Sequence, residues 1–220
     1  MPVVTVASPK GGAGKSTASV ILATELAHAG AEVVILDCDP NRSITIWSSR
    51  SPLPPRILVK SNVGESEIVR TIKQEDADGR IVIVDLEGVA SRLVSRAISQ
   101  ADLVLTPMRA TTLDATIGVR ALALITEEEE ALGREIRHAI VFTMTRAIKS
   151  KQHTAIETSL KGQGVDVILP PLMERAAFSA LFEFGGDLRT MPPQGKMEPA
   201  TQNASHFAQA VYNRLTRKGQ

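Results

Sequence analysis

The chain has 220 residues, 43% hydrophobic and 22% charged, with a formal net charge of +1. That size and hydrophobicity suit one compact unit spanning residues 1–220, and the near-neutral balance excludes binding by bulk charge, so any nucleic-acid surface has to be a local patch. The single cysteine, Cys38, excludes an internal disulfide and a protein-held iron–sulfur cluster within one chain, and it suits a reducing cytoplasm. Met1-Pro2 runs straight into the first apolar segment, so no signal peptide is expected. No apolar stretch approaches the ~20 residues of a membrane span.

In chain order, apolar β-branched runs predict strands at Val3–Ala7, Glu32–Leu36, Ile57–Val59, Ile81–Val84, Leu103–Thr106, Ala139–Thr143 and Val165–Leu169. Helix-length segments between and after them predict helices at Ser16–Ala29, Glu65–Gln74, Ser91–Ser99, Leu113–Leu132, His153–Gly162, Arg175–Phe184 and Gln202–Arg217. Several strands are apolar on both faces, as buried parallel strands are. The alternation gives an α/β fold, a doubly wound, mostly parallel sheet flanked by helices. Ser51-Pro52-Leu53-Pro54-Pro55 and Met191-Pro192-Pro193-Gln194-Gly195 are loops.

The chemistry concentrates where the first strand meets the first helix. Residues 9 to 17 read Pro-Lys-Gly-Gly-Ala-Gly-Lys-Ser-Thr. Three glycines let successive backbone N–H groups turn toward one anion, and the helix that follows adds its N-terminal dipole. Gly11, Gly12, Ala13, Gly14, Lys15, Ser16 and Thr17 are therefore the expected phosphate cradle, Lys15 neutralising the β/γ-phosphates and the Ser16 hydroxyl ligating Mg²⁺. The second strand delivers Asp37-Cys38-Asp39-Pro40-Asn41, and the fourth ends in Asp85-Leu86-Glu87-Gly88. Carboxyl ends of strands face the ligand crevice of an open α/β sheet, so these acids are candidates for a Mg²⁺ shell and for positioning water. ATP and Mg²⁺ are the expected cofactors. Trp47 lies a few residues beyond Asp39, close enough in sequence for its fluorescence to be a candidate reporter of nucleotide.

Pro9 stands where an ordinary phosphate loop has its first glycine, and Lys10 precedes the usual lysine by five positions. Lys10 to Thr17 resembles the deviant Walker A loop of the ParA/MinD group of P-loop ATPases. The resemblance implies that Lys10 reaches across a homodimer to the partner's nucleotide. It implies that Asp39 orients or activates the attacking water, that Asp37 supports the Mg²⁺ shell and that Asp85 holds one of the metal's waters. Asn41 departs from the group's usual glutamine. Thr145 and Arg146 resemble the positions that frame the adenine, and Thr106-Pro107-Met108-Arg109 a proline-containing turn close to the nucleotide or the dimer contact. Asp114 matches an acidic position of small partition members, or else Thr112 or Asp114 caps the long helix that follows.

Leu169 to Phe178 resembles the stretch that precedes a helix near the DNA-facing side of ParA-type dimers, and the short ParF-like and VirC-like members are the nearest match. Basic residues gather in the second half, with Lys149, Lys151, Arg175 and Arg189 as the candidate DNA contacts; Arg217 and Lys218 follow. Aromatics are 3% of the chain, which argues against stacking on single strands. Glu127–Glu130 is an exposed helical turn. The last helix presents Ala204, Phe207, Ala208, Val211, Tyr212 and Leu215 on one face, but lacks the bulky and basic residues of a membrane-surface helix, so docking on the domain is expected.

The implied function is an ATP-built dimer that grips nonspecific duplex DNA and is released when a ParB-like or other cargo adaptor stimulates slow hydrolysis. A MinD-like membrane-cycling ATPase and a ligase or synthetase on the same fold remain the alternatives.

Overall fold

The structure is a computed structural model that describes residues 2–88 and 91–216. Seven parallel strands form one sheet in the order β3-β2-β4-β1-β5-β6-β7. They are β1 (Val3–Val6), β2 (Val33–Cys38), β3 (Ile57–Ser61), β4 (Ile81–Leu86), β5 (Leu103–Met108), β6 (His138–Phe142) and β7 (Val167–Ile168). The helices are α1 (Lys15–His28), α2 (Ser43–Arg50), α3 (Ile68–Ala77), α4 (Arg92–Ile98), α5 (Thr112–Leu132), α6 (Lys151–Gly162), α7 (Ala176–Phe184) and α8 (Met197–Thr216). β1 lies between β4 and β5, and the chain departs from it toward β2 on one side while β5 to β7 extend on the other. A crevice at the carboxyl end of β1 follows from that change of direction.

The strand pleat sorts the core. Val4, Val6, Val33, Ile35, Ile81, Ile83, Leu103, Leu105, Ala139 and Val141 face one layer, built from α1, α2, α7 and α8. Val3, Val34, Leu36, Val82, Val84 and Val104 face the other, with α3, α4 and α5. Side chains alternate between faces, so Asp37 and Asp85 continue the Ile35 and Ile83 rows toward α1. Parallel pairing runs on through Asp37↔Asp85 and Cys38↔Leu86, which extends β2 and β4 past the ends read from their apolar runs. Pro107 is inside β5 rather than in a turn: pairing with β1 ends at Leu105, so a residue without an N–H is accommodated there. Pro199 likewise falls in the first turn of α8, where an N–H has no helical partner, and α8 begins earlier than its apolar face suggests.

Most of the apolar face of α8 is consumed internally: Ala204, Phe207 and Val211 are fully buried in the layer that holds α1, while Tyr212 is exposed. No helix among the described residues is long and apolar enough to cross a membrane. Glu129 is more than part of an exposed turn, because its Oε1 accepts the Ile136 N–H at 2.7 Å.

Helix α2 is absent from the sequence reading. It has eight residues, too few for a clear period, and buries only Ile44 and Trp47. Trp47 is fully buried and its Nε1 donates to the Gly186 carbonyl at 3.0 Å. It therefore reports the seat of α2 on the loop after α7, not the nucleotide directly. That loop is fastened on both sides. Asp187 accepts the N–H groups of Arg189 and Thr190, and meets His28 Nε2 at 3.0 Å. Gly185 adopts φ 74°, ψ −166°, a region essentially restricted to glycine. A Cβ there would lie 2.7 Å from Arg50 Cβ and 2.9 Å from the Ser51 nitrogen. Gly185→Ala is expected to cost roughly 2–4 kcal/mol from strain plus overlap. Urea unfolding followed by Trp47 emission checks it; an unchanged midpoint would show that the loop is not seated this way.

Candidate functional site

The loop between β1 and α1 has the backbone its glycines allow. Gly12 and Gly14 take φ 71° and 86°, and α1 begins directly after Gly14. Its shape is held from outside: Thr143 Oγ1, beyond the end of β6, donates to the Ala13 carbonyl at 2.7 Å, and Arg109 Nη2 to the Gly12 carbonyl at 3.4 Å. Gly88 lies against the loop's base, where a Cβ would come within 3.3 Å of the Ser8 carbonyl oxygen. A side chain at this position would press on the loop's backbone.

These elements enclose an open cleft of about 450 Å³ lined by Gly11, Gly12, Gly14, Lys15, Ser16, Thr17, Asp39, Pro40, Asn41, Ser43, Glu87, Gly88, Met144 and Phe182. Most of the expected cradle is here, with Asp39 opposite it. Asp39 Oδ1 accepts the Asn41 N–H at 2.8 Å, which fixes the turn that carries the acid. Glu87 also lines the cleft. Ala13 is buried beneath the loop.

Below the cleft, Ser16 Oγ donates to Asp85 Oδ2 at 2.8 Å and Ser19 Oγ to Asp85 Oδ1 at 3.0 Å. Asp85 is fully buried. Burial pushes its pKa from 3.8 up to about 7; the two serine hydroxyls oppose this, Asp37 adds to it and Lys15 opposes it. Asp37 is also buried, and its Oδ2 accepts both the N–H and the hydroxyl of Thr45, at 2.7 and 2.6 Å. Its Oδ1 is buried with no hydrogen-bond partner. An orphaned carboxylate oxygen beside a second buried carboxylate and a serine hydroxyl is a hard-oxygen set short of positive charge, which fits Mg²⁺ with its waters. Burial and the neighbouring Asp37 and Asp85 charges push the Cys38 thiol up to about 12, so it stays protonated.

Lys10 does not point into solvent. Its Nζ pairs with Asp114 Oδ1 at 2.5 Å. Asp114 sits in the first turn of α5, where Thr111 accepts its N–H at 3.2 Å and donates its hydroxyl to Oδ2 at 2.6 Å. The cap is thus Thr111 rather than Thr112, and Asp114 serves both the helix start and Lys10.

Residues 1–191 match the family model described as VirC1 protein. The chain belongs to the VirC1 family. It is 62% identical over 218 residues, 98% of each chain, to Protein ParA of Rhizobium radiobacter. Its fold is similar to a Cyanothece McdA variant in complex with ATP, at 17% identity and TM-score 0.78 over 100% of this chain and 98% of that one. It is also similar to the Mycobacterium smegmatis cobyrinic acid a,c-diamide synthase with bound ADP and magnesium, at 15% identity and TM-score 0.69, covering 97% and 94%. The fold is that of the ParA/MinD group of P-loop proteins.

A second cavity of about 110 Å³ opens from the cleft of this VirC1-family chain, lined by Gly14, Thr17, Thr143, Met144, Leu172, Met173, Glu174, Arg175, Phe178 and Ser179. Met144, at φ 51°, borders both spaces. Thr145 is buried and bridges to Met173, while Arg146 is exposed; neither lines this cavity, and the apolar neighbours Met144 and Phe178 do. Among the basic residues expected to meet DNA, Arg175 borders the cavity with its Nε buried. Arg189 makes a double contact with Glu25 at 2.6 and 2.9 Å, and Lys149 donates to Glu157 at 2.5 Å. Lys151 is exposed at the start of α6. Arg217 and Lys218 lie outside the described residues.

Ser19, Thr45, Thr143 and Met144 were not singled out from the sequence. Ser19 alone carried a local signal: it follows Lys15 by one helical turn and so shares its face of α1.

Proposed function

We propose that this chain is a partition or positioning ATPase in which ATP and Mg²⁺ assemble a homodimer that grips duplex DNA without sequence preference. The carrying observation is the convergence of the Gly11–Thr17 loop, Asp39 and the Ser16–Asp85 pair on one cleft, with Lys10 held at its side. Family membership and the identity with a ParA protein support the partition reading.

Hydrolysis in such a site requires placement and charge neutralisation rather than covalent chemistry. Backbone N–H groups of the loop bind the phosphates, and Lys15 neutralises the β and γ oxygens. Ser16, Asp85 and Asp37 would hold Mg²⁺ and its waters; when bound, the ion supplies positive charge at the phosphates. Asp39, fixed by Asn41, orients water for in-line attack. The cavity under Met144 receives the base. Lys10 leaves Asp114 and completes the partner's site.

DNA binding draws support from the exposed Arg146 and Lys151 rather than from Arg189, whose charge Glu25 already neutralises. Contacts to a few phosphates per subunit give a log–log salt slope of about −0.9 per contact. The test is binding to an arbitrary duplex with ATP, ADP or neither across a salt series, with Asp39→Ala to slow hydrolysis. ATP-only, salt-sensitive binding is expected. A protein that dimerises with ATP yet leaves DNA unbound would remove the DNA half and turn the search to a membrane or protein cargo.

A further inference from the structure

The structure assigns Ser19 as a positioning residue that holds Asp85 for the metal shell; the assignment rests on the ATP and Mg²⁺ reading above. Two serine hydroxyls meet the two oxygens of Asp85, and they differ in surroundings. Ser16 lines the cleft, and its hydroxyl is the one that turns to a cation in a phosphate loop. Ser19 is fully buried behind it and does not line the cleft. When Ser16 turns, Asp85 Oδ2 is released, and Ser19 is the remaining serine on the carboxylate.

The Ser19 hydroxyl lies 3.0 Å from Asp85 Oδ1 and 3.1 Å from the Lys15 carbonyl. The two acceptors compete for one proton. The Lys15 carbonyl lies inside α1, where the helical ladder provides a backbone donor, and a carboxylate is the stronger acceptor. The proton therefore belongs to Asp85. Through this bond the end of β4 is tied to α1 one turn beyond Lys15 and Ser16. A buried carboxylate aimed by a fixed donor loses less freedom when it takes up a water of the metal. Ser19 touches neither nucleotide nor cation; it acts through Asp85.

Thr24 on the same helix is an internal control. It is buried, and its hydroxyl donates only to the backbone carbonyls of Val20 and Ile21. The experiment measures free Mn²⁺ by electron paramagnetic resonance with and without ATP, alongside ATP binding in chelator. Ser19→Ala is expected to bind metal-free ATP as the wild type does, but to lose about tenfold of its ATP-coupled Mn²⁺ affinity, the size of one hydrogen bond to a charged group. Thr24→Ala is expected to keep it. An equal loss in both variants, or none in Ser19→Ala while the wild type couples Mn²⁺ to ATP, overturns the assignment. A wild type whose Mn²⁺ affinity ignores ATP removes the ATP and Mg²⁺ reading itself, and the assignment with it.

Discussion

Lys10→Ala is expected to lower ATP hydrolysis by about 10³-fold or more, the scale set by removing a charge supplied in trans to a phosphoryl transition state. Binding of one nucleotide to one chain should persist, because Lys15 and the loop backbone remain. The same change should also weaken the fold. Asp114 has 1% of its side chain exposed, and without Lys10 its carboxylate keeps only Thr111. Lys10 is 32% exposed, so solvent screens part of the pair, and the loss should be about 1–2 kcal/mol. Asp114→Asn in the same chain should restore stability and leave hydrolysis defective, which separates the two roles of the lysine.

Alone, Asp114→Asn should act in the opposite direction on assembly. In the single chain, Lys10 is committed to Asp114, and its transfer to a partner's nucleotide requires that pair to break. Neutralising Asp114 lowers the cost of release, so ATP-dependent dimerisation should strengthen several-fold, by about the worth of a partly exposed ion pair. Sedimentation of both variants with ATP, together with phosphate release, gives the comparison. Lys10→Ala hydrolysing at the wild-type rate would end the shared-site reading. Asp114→Asn that dimerises no better than the wild type would leave Asp114 a helix-start residue only.

What the sequence made legible is what local geometry encodes. Gly12 and Gly14 turn left-handed, and Lys15 and Ser16 follow at fixed spacing, so the shape of the loop could be read residue by residue. Asp39 and Asp85 were legible because apolar strands point at them and parallel sheets present ligands at strand ends. Residues whose roles are set by distant partners could not be read. Arg189 looks like a free cation until Glu25 of α1 is brought to it. Asp114 looks like a cap until the phosphate loop folds against α5. Ser19 looks like any small residue in a helix until β4 places Asp85 beside it. Helix α2 escaped because Arg42 starts it in a left-handed conformation, at φ 51°, where a chain of L residues is expected to break rather than begin.

Asp85→Asn is expected to stabilise the metal-free protein at pH 8 while abolishing the response of its ATP-bound form to Mg²⁺. The folded-state pKa of Asp85 is raised by burial from 3.8 to about 7. The folded protein therefore holds this proton more tightly than the unfolded chain does. Its contribution is fully present below about pH 3.8 and is lost as pH rises through about 7. A difference of about three pKa units corresponds to up to ~4 kcal/mol at pH 8. Asparagine keeps the shape, its amide donating to one serine oxygen while its carbonyl accepts from the other, and carries no charge to bury. The melting temperatures of the two proteins should converge near pH 4 and diverge toward pH 8, with the variant higher. Adding Mg²⁺ to the ATP-bound proteins should raise the wild type alone, since cations beside Asp85 reverse the burial penalty that asparagine never had. Parallel melting curves from pH 4 to 8 would show that Asp85 is not the buried, charge-hungry group on which the metal site depends. If the curves diverge, the stability spent on burying Asp85 is what makes cation binding and folding of the cleft one equilibrium.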